Sequence, residues 1–432
     1  MSDLEFVEAV FTFPDINSKT LKGTLHITQN DKFFILNENP FNPHSWKTIS
    51  IVYVQTPSES YSCVECLLYR STLNKYYYTV TELYQGKFID RSETKIFKSI
   101  TTEIFFLTDW LSPKLFEVKT TKDENYFTTL KVRQSERYIF KLIEDKELLF
   151  EAYTSVKQST DLISYTNNSM MKITSENNSC RQELFSLYYS FIIFYTLFVR
   201  SIPRTIDLIF TDNEDNDIRL LGLDNAPERN SFDILLRFKK IENFQSVIQK
   251  YFEKKNDYNL IIQLWQGSFK QNDPEVSFLH LTQGIEVFHR TFYQNDPNQK
   301  KAIATEVCQM FKTTKIFTEW NQIMVYYHLV KLTKSLKIEI AFPEDHPKFI
   351  KCLRSSRNFY THHNEEKNIW SHFELFTINN FLKTWLRALL LSQLNVSLKN
   401  INSCIIQESR FLENDDIFKN EYSMRYQNNF TT

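Results

Sequence analysis

Two hydrophobic periods divide the chain. Over the first ~150 residues, aromatic and β-branched side chains alternate with polar ones, the pattern of half-buried strands. EFVEAVFTF (5–13), TLKGTLHIT (20–28), TISIVYVQ (48–55), KYYYTVTELY (75–84), YFTTLKVR (126–133) and RYIFKLIE (137–144) carry it, separated by polar turns with Asn, Asp and Ser. Short strands at this spacing predict a sandwich or a strongly curved sheet. The run LFSLYYSFIIFYTLFV, Leu184 to Val199, is shorter than the ~20 residues that span a bilayer and contains Ser and Tyr. It predicts a buried helix over 182–200 and no membrane span. RTIDLIF (204–210) predicts a further strand. TDNEDNDIRLLGLDNAPERN (211–230), with acidic residues, Gly and Pro, predicts a loop or domain junction, and its acidic spacing is not that of an EF-hand.

Beyond 230 the period becomes helical. Phe278, Leu281, Ile285, Phe288 and Phe292 step by three and four, as do Leu375, Ile378, Leu382, Trp385 and Leu389. Further helices are expected near 299–312, 317–337 and 344–361, with Pro274, Pro297 and Pro343 at helix starts. Short connections predict antiparallel neighbours and so a bundle. The expected architecture is α+β: a β-rich N-terminal domain over 1–222, then an all-α domain over 230–432 with its core in 274–395.

Composition adds exclusions. A chain of 432 residues is long enough for two domains, and 42% hydrophobic with 24% charged residues is ordinary for a soluble protein. The net charge of −1 gives no global field, so any basic surface must be local. Its 5 glycines, at 23, 86, 222, 267 and 284, cannot build a Walker or dinucleotide phosphate loop. Six cysteines in a chain without a signal peptide suit reduced thiols in a cytoplasm. Cys63 and Cys66 lack a second pair for a zinc site, and a three-residue step along a strand puts them on opposite faces. Tyr76, Tyr77 and Tyr78 read as core or cross-strand aromatics.

The chemistry concentrates in RSSRNFYTHHNEE (354–366). His346, Phe349, Ile350, Leu353, Arg357 and Tyr360 share one helical face, so Arg357 continues an apolar stripe. A guanidinium directed inward is costly unless it is paired or lines a cleft. His362, five residues on, is rotated from Arg357 by roughly 140° on a straight helix. HHNEEKN reads as a helix end, where the histidines can leave helical register; alternatively, a second copy completes the site across a two-fold axis. With 9 histidines in the chain, an Arg followed four to six residues later by His is expected roughly once by chance, so spacing alone is uninformative. Position on the stripe is not. Between Gln299 and Lys337, seven lysines against two glutamates leave a local excess of five positive charges. Such a patch suits a phosphate backbone, and Lys331, Lys334 and Lys337 within it, with Arg354 beyond it, are the candidate contacts to such a backbone.

RNFYTH (357–362) resembles the R-N-x-x-x-H form of the HEPN motif. FLHLTQGIEVFHRTFY (278–293) is similar to the second signature of the ApeA-like HEPN branch, in which a glutamate precedes Phe-His-Arg. FDILLRFKKIENFQSVIQKYFE (232–253) and LIIQLWQGSF (260–269) resemble the helices leading into that bundle. The N-terminal half is similar in length and strand richness to the β-type domain of the same proteins, FFLTDWL (105–111) being its most suggestive phrase. The likeness is specific over 232–395 and weak over 1–230.

The resemblance implies an anti-phage endoribonuclease that cuts RNA without a metal or cofactor, the ribose 2′-OH attacking the adjacent phosphate. His362 would be general base or acid, since imidazole titrates near working pH. Arg357 would hold phosphoryl oxygens through its planar fork, and Asn358 would position phosphate or sugar. His363 also satisfies the spacing. Glu286 matches the upstream acid and would orient Arg357, whereas His289 and Arg290 read as structural or surface residues. The implied setting is a cytoplasmic homodimer or higher homo-oligomer, off the membrane, whose N-terminal domain senses a phage-derived trigger and whose action aborts infection. Two other readings stand beside it. One is an inactive HEPN-type module that binds RNA, nucleotide or protein, and the other is a scaffold in which Glu286 merely neutralises Arg357.

Overall fold

Alternating sequence becomes strand wherever a second strand can cover its polar backbone, and here the pairing runs almost unbroken through the N-terminal half. The computed structural model describes residues 4–14, 18–28, 31–40, 48–72, 75–89, 96–122, 126–132, 135–158, 163–221, 234–313, 319–343, 345–363 and 368–413. They fall into two compact units, Met1–Tyr189 with Pro203–Ser231, and Ser190–Ile202 with Phe232–Thr432.

In the first unit, β1 (Leu4–Phe13), β2 (Lys19–Ile27), β3 (Lys32–Leu36), β4 (Ile49–Gln55), β5 (Ser60–Thr72) and β6 (Lys75–Gln85) follow the order β6-β3-β2-β1-β4-β5, and β5 pairs back onto β6. The curved-sheet expectation therefore takes the form of a closed six-stranded antiparallel barrel, which leaves no open edge among these strands. Phe11, Phe13, Phe34, Val52, Cys63 and Leu83 fill its interior. Tyr78 joins them, stacked on Phe34 at 4.9 Å between ring centroids.

The end of β6 also pairs with β14 (Asp217–Leu221), which extends the sheet through β13 (Thr205–Asp212), β7 (Phe97–Ile104), β12 (Ile163–Ser179) and β11 (Lys146–Gln158) to β10 (Ser135–Ile143). β8 (Phe116–Lys122) and β9 (Tyr126–Val132) form a separate hairpin. FFLTDWL holds α1 (Leu107–Leu111), whose Trp110 is fully buried.

Two expectations change here. Residues 211–221 are not loop: they finish β13 and form β14, because the Asp212 carboxylate accepts from the backbone of Glu214 and Asn216 and closes a tight hairpin. Residues 222–230 lie outside the described residues. Cys63 and Cys66 do not point to opposite faces. Both are fully buried in the barrel core, since Glu65 between them takes a left-handed φ of 52° and resets the alternation. The Cys66 thiol is pushed well above the ordinary range, first by its hydrogen bond with Cys63 and then by burial.

α2 (Arg181–Tyr195) and the 3-10 turn Thr196–Phe198 carry the long apolar run, and the chain passes from one unit to the other within α2. No described helix is long and apolar enough to cross a membrane.

The second unit is helical: α3 (Phe244–Glu253), α4 (Lys255–Lys270), α5 (Pro274–Tyr293), α6 (Pro297–Met310), α7 (Gln322–Ser335), α8 (His346–His362), α9 (His372–Gln393) and α10 (Leu398–Glu413). Side-chain caps set the starts: Asp273 for α5, Asp296 for α6, Asn321 for α7, Asp345 for α8, and a Ser371–Glu374 capping box for α9. Pro274 and Pro297 sit in the first turn as expected, whereas α8 is opened by Asp345 and Pro347 rather than by Pro343. α5 is the central element, packed against α4, α7, α8 and α9. Phe278, Leu281, Ile285 and Phe288 of its predicted stripe are fully buried.

Candidate active site

The site is assembled where α5, α7 and α8 meet. On α8, Phe349, Ile350 and Leu353 are fully buried, and Arg357 follows them one turn later along the same face. Its side chain keeps 18% exposure and meets Glu286 of α5, itself 16% exposed. Nη2 donates to Oε2 at 3.4 Å, while Nε faces Oε1 at 3.3 Å as an ion-pair contact without hydrogen-bond alignment. The pairing is long for a charge-assisted contact, so it orients the guanidinium without saturating it.

Glu286 is held from a second direction. Tyr326 Oη of α7 donates to Oε1 at 2.9 Å, and Gln322 Nε2 donates to the same oxygen at 3.3 Å. Burial, reinforced by the neighbouring carboxylate, lifts the Tyr326 phenol well above its usual range, so it remains a donor. Neither Gln322 nor Tyr326 stood out in the sequence. The only trace was their i, i+4 spacing, which places both on one face of α7.

The last turn of α8 is pinned in two places. Ser356 Oγ accepts from the Trp370 amide at 2.9 Å, and Tyr360 Oη donates to the Trp370 carbonyl at 2.7 Å. Phe278 of α5 packs edge-on against both aromatic rings. Tyr360 thus ties the end of the stripe to α5, and Arg357 is fixed between a buried turn and an anchored one.

The two histidines behave differently. His362 is the last helical residue and is exposed. His363 leaves the helix: it caps α8 with φ 53° while its N–H donates to the Phe359 carbonyl at 2.7 Å. Its side chain is also exposed, with the ring edge-on to Phe359. No hydrogen bond or ion pair among the described residues joins Arg357 to either histidine, nor engages the Asn358 side chain, which is half-buried. Residues 364–366 of the quoted stretch lie outside the described residues.

Of the basic candidates, Lys331, Lys334 and Lys337 are exposed and Arg354 is half-buried. Lys331 is already engaged, its Nζ 2.6 Å from Glu306 Oε1. Lys315 lies outside the described residues. His289, one turn beyond Glu286, is buried and contacts His328 of α7 at 3.0 Å between Nε2 and Nδ1. Arg290 is exposed.

Comparison with known proteins converges on the same helices. Neither the curated proteins nor the solved structures give a match to the chain. The family model described as Apea-like HEPN matches residues 279–400. That span begins in the second turn of α5 and ends in the first turn of α10, enclosing Glu286, Tyr326, Arg357 and both histidines. Residues 279–400 are an Apea-like HEPN domain.

Proposed function

We propose that this protein is a metal-independent endoribonuclease of anti-phage defence, with the α8 terminus as its active site. The observation that carries the reading is the state of Arg357, a partly buried guanidinium aligned by Glu286 with asparagine next in sequence and two exposed histidines ending the same helix. In the reaction, His362 or His363 takes the proton from a ribose 2′-OH. That oxygen attacks the adjacent phosphorus, the bond to the 5′-oxygen breaks, and the leaving oxygen is protonated. A 2′,3′-cyclic phosphate and a 5′-hydroxyl end result. Arg357 stabilises the charge that grows on the non-bridging oxygens, an electrostatic role that is strongest out of bulk water. Asn358 positions the phosphate or sugar.

Arg357 and His362 diverge by roughly 140° on one helix, which favours a site completed by a second copy. The β-rich unit serves as sensor for a phage-derived trigger, and cleavage arrests growth of the infected cell. Arg357→Ala and His362→Ala are expected to abolish RNA cleavage and cell toxicity, and His363→Ala run in parallel decides between the histidines. Full cleavage by both Arg357→Ala and His362→Ala sinks the assignment.

The same 140° divergence also favours a second reading, a module that grips phosphate through Arg357 without cutting. RNA binding that survives His362→Ala, with no cleavage under any condition, would select it.

A further inference from the structure

The loose pair between Arg357 and Glu286 is steadied from α7. Tyr326 is fully buried, so its hydroxyl has no access to substrate. It donates to Glu286 Oε1, and Gln322, one turn earlier on the same face, donates to that oxygen too. A glutamate carboxylate turns about a broad terminal torsion, so an ion pair with arginine alone leaves its plane poorly defined. Two further donors on one oxygen define that plane. The guanidinium is also planar, so fixing the carboxylate on its Nε–Nη2 side fixes the direction of its opposite edge. Nη1 takes part in no hydrogen bond among the described residues.

We infer that Tyr326 is a positioning residue for cleavage: its hydroxyl, seconded by Gln322, locks Glu286 so that Arg357 presents its Nη1–Nη2 edge to the phosphoryl oxygens. The inference rests on the endoribonuclease reading above. Two neutral donors are well suited to the task, because they satisfy Glu286 without competing with Arg357 for phosphate. The effect falls on turnover more than on binding, because the non-bridging oxygens gain charge on the way to the transition state.

The test is a kinetic cycle in the full chain, with Tyr326→Phe, Glu286→Gln, the double substitution and Gln322→Met, and with wild type and Arg357→Ala as references. Cleavage of an oligoribonucleotide supplies kcat and KM, and thermal melting reports folding. Tyr326→Phe is expected to lower kcat about 10-fold with KM within about 2-fold, the scale of a misplaced catalytic group. The double variant should be no slower than Glu286→Gln alone, since without the carboxylate charge there is nothing left to position. Gln322→Met should show the same behaviour with about a 3-fold loss, and it decides the matter should Tyr326→Phe fail to fold. An unaltered kcat in the folded single variants overturns the inference, as do losses that multiply in the double variant. A wild type that leaves RNA intact defeats the endoribonuclease reading, an Arg357→Ala that cuts at full rate removes Arg357 from the site, and either outcome takes this inference with it. That failure is distinct because it shows in the reference arms, before Tyr326 is altered.

Discussion

His289 of α5 and His328 of α7 form a buried imidazole pair, Nε2 to Nδ1 at 3.0 Å, with Trp320 packed against both rings. The contact requires one ring to donate and the other to accept, so at least one ring is neutral. Burial pushes the His289 pKa down to about 3, with His328 contributing. Burial likewise takes His328 down to about 4, aided by Lys331 and opposed by Asp296. In the unfolded chain both titrate near 6.5. The unfolded state therefore binds more protons between these values, and stability present above pH 6.5 is lost as pH falls towards 4. A loss on the order of 6 kcal/mol, about half from each histidine, is expected between pH 7 and 4, read from urea denaturation across pH. His328→Gln should be less stable at pH 7 and show a shallower slope; an unchanged slope would exclude the pair as its source.

Arg357 separates stability from function. Arg357→Met keeps the length of the side chain and the apolar stripe, and it leaves Glu286 with its bonds from Tyr326 and Gln322. Because those two hydrogen bonds still compensate the part-exposed Glu286 carboxylate, thermal stability is expected to fall by only about 1 kcal/mol. RNA cleavage should vanish. A variant that unfolds would instead favour the scaffold reading of the Arg357–Glu286 pair.

Gly284 lies where α5 approaches α9. A Cβ there would stand 2.8 Å from Cδ2 of the fully buried Leu386, so that side chain has to shift within the core. Gly284→Ala gains helix propensity of ~1 kcal/mol but introduces overpacking of ~1–3 kcal/mol, so a net fall in melting temperature is expected. Gly267→Ala meets His280 Nδ1 at 2.7 Å and should behave alike, with a smaller penalty because His280 is only half-buried.

A second arginine is buried more deeply than Arg357. Arg387 of α9 is 1% exposed, bonds Glu408 at 2.7 Å and the Val199 carbonyl at 3.2 Å, and lies over the Trp265 ring. Arg387→Met strands Glu408 and should cost roughly 3–5 kcal/mol. Adding Glu408→Leu should recover much of that loss in denaturant titrations, whereas purely additive destabilisation would show that packing rather than charge governs the site.

The basic residues predict a graded salt response. Lys334→Ala and Lys337→Ala should each lower the slope of log affinity against log salt for single-stranded RNA by roughly 0.7. Lys331→Ala should change it less, because that ammonium is already paired with Glu306. Equal effects at all three positions would show that RNA displaces Glu306.

Much of the fold was legible along the chain because hydrophobic period is a local property. Strands alternate and helices step by three and four whatever they later touch, and so α5, α8 and α9 could be read with their buried faces. The stripe that carries Arg357 was readable on the same grounds, and the resemblance of GIEVFHR and RNFYTH pointed to the domain that the family model matches. Five of the first twelve strands were not anticipated; β7 and β12, for example, gain their definition from the partners on either side. The β5–β6 hairpin is local, but the barrel closes only because β3 pairs with β6, Phe33 opposite Thr79, and no short window of sequence contains both. The same holds for Cys63 and Cys66, whose shared face depends on one left-handed residue. At the site, sequence supplied Arg357 and Glu286 as candidates 71 residues apart, but only packing of α7 against α5 revealed that Tyr326 and Gln322 hold the carboxylate. Which residues are apolar was settled by sequence; which polar groups share a buried space was settled by helix packing, because desolvation and hydrogen-bond geometry exist only once the helices meet.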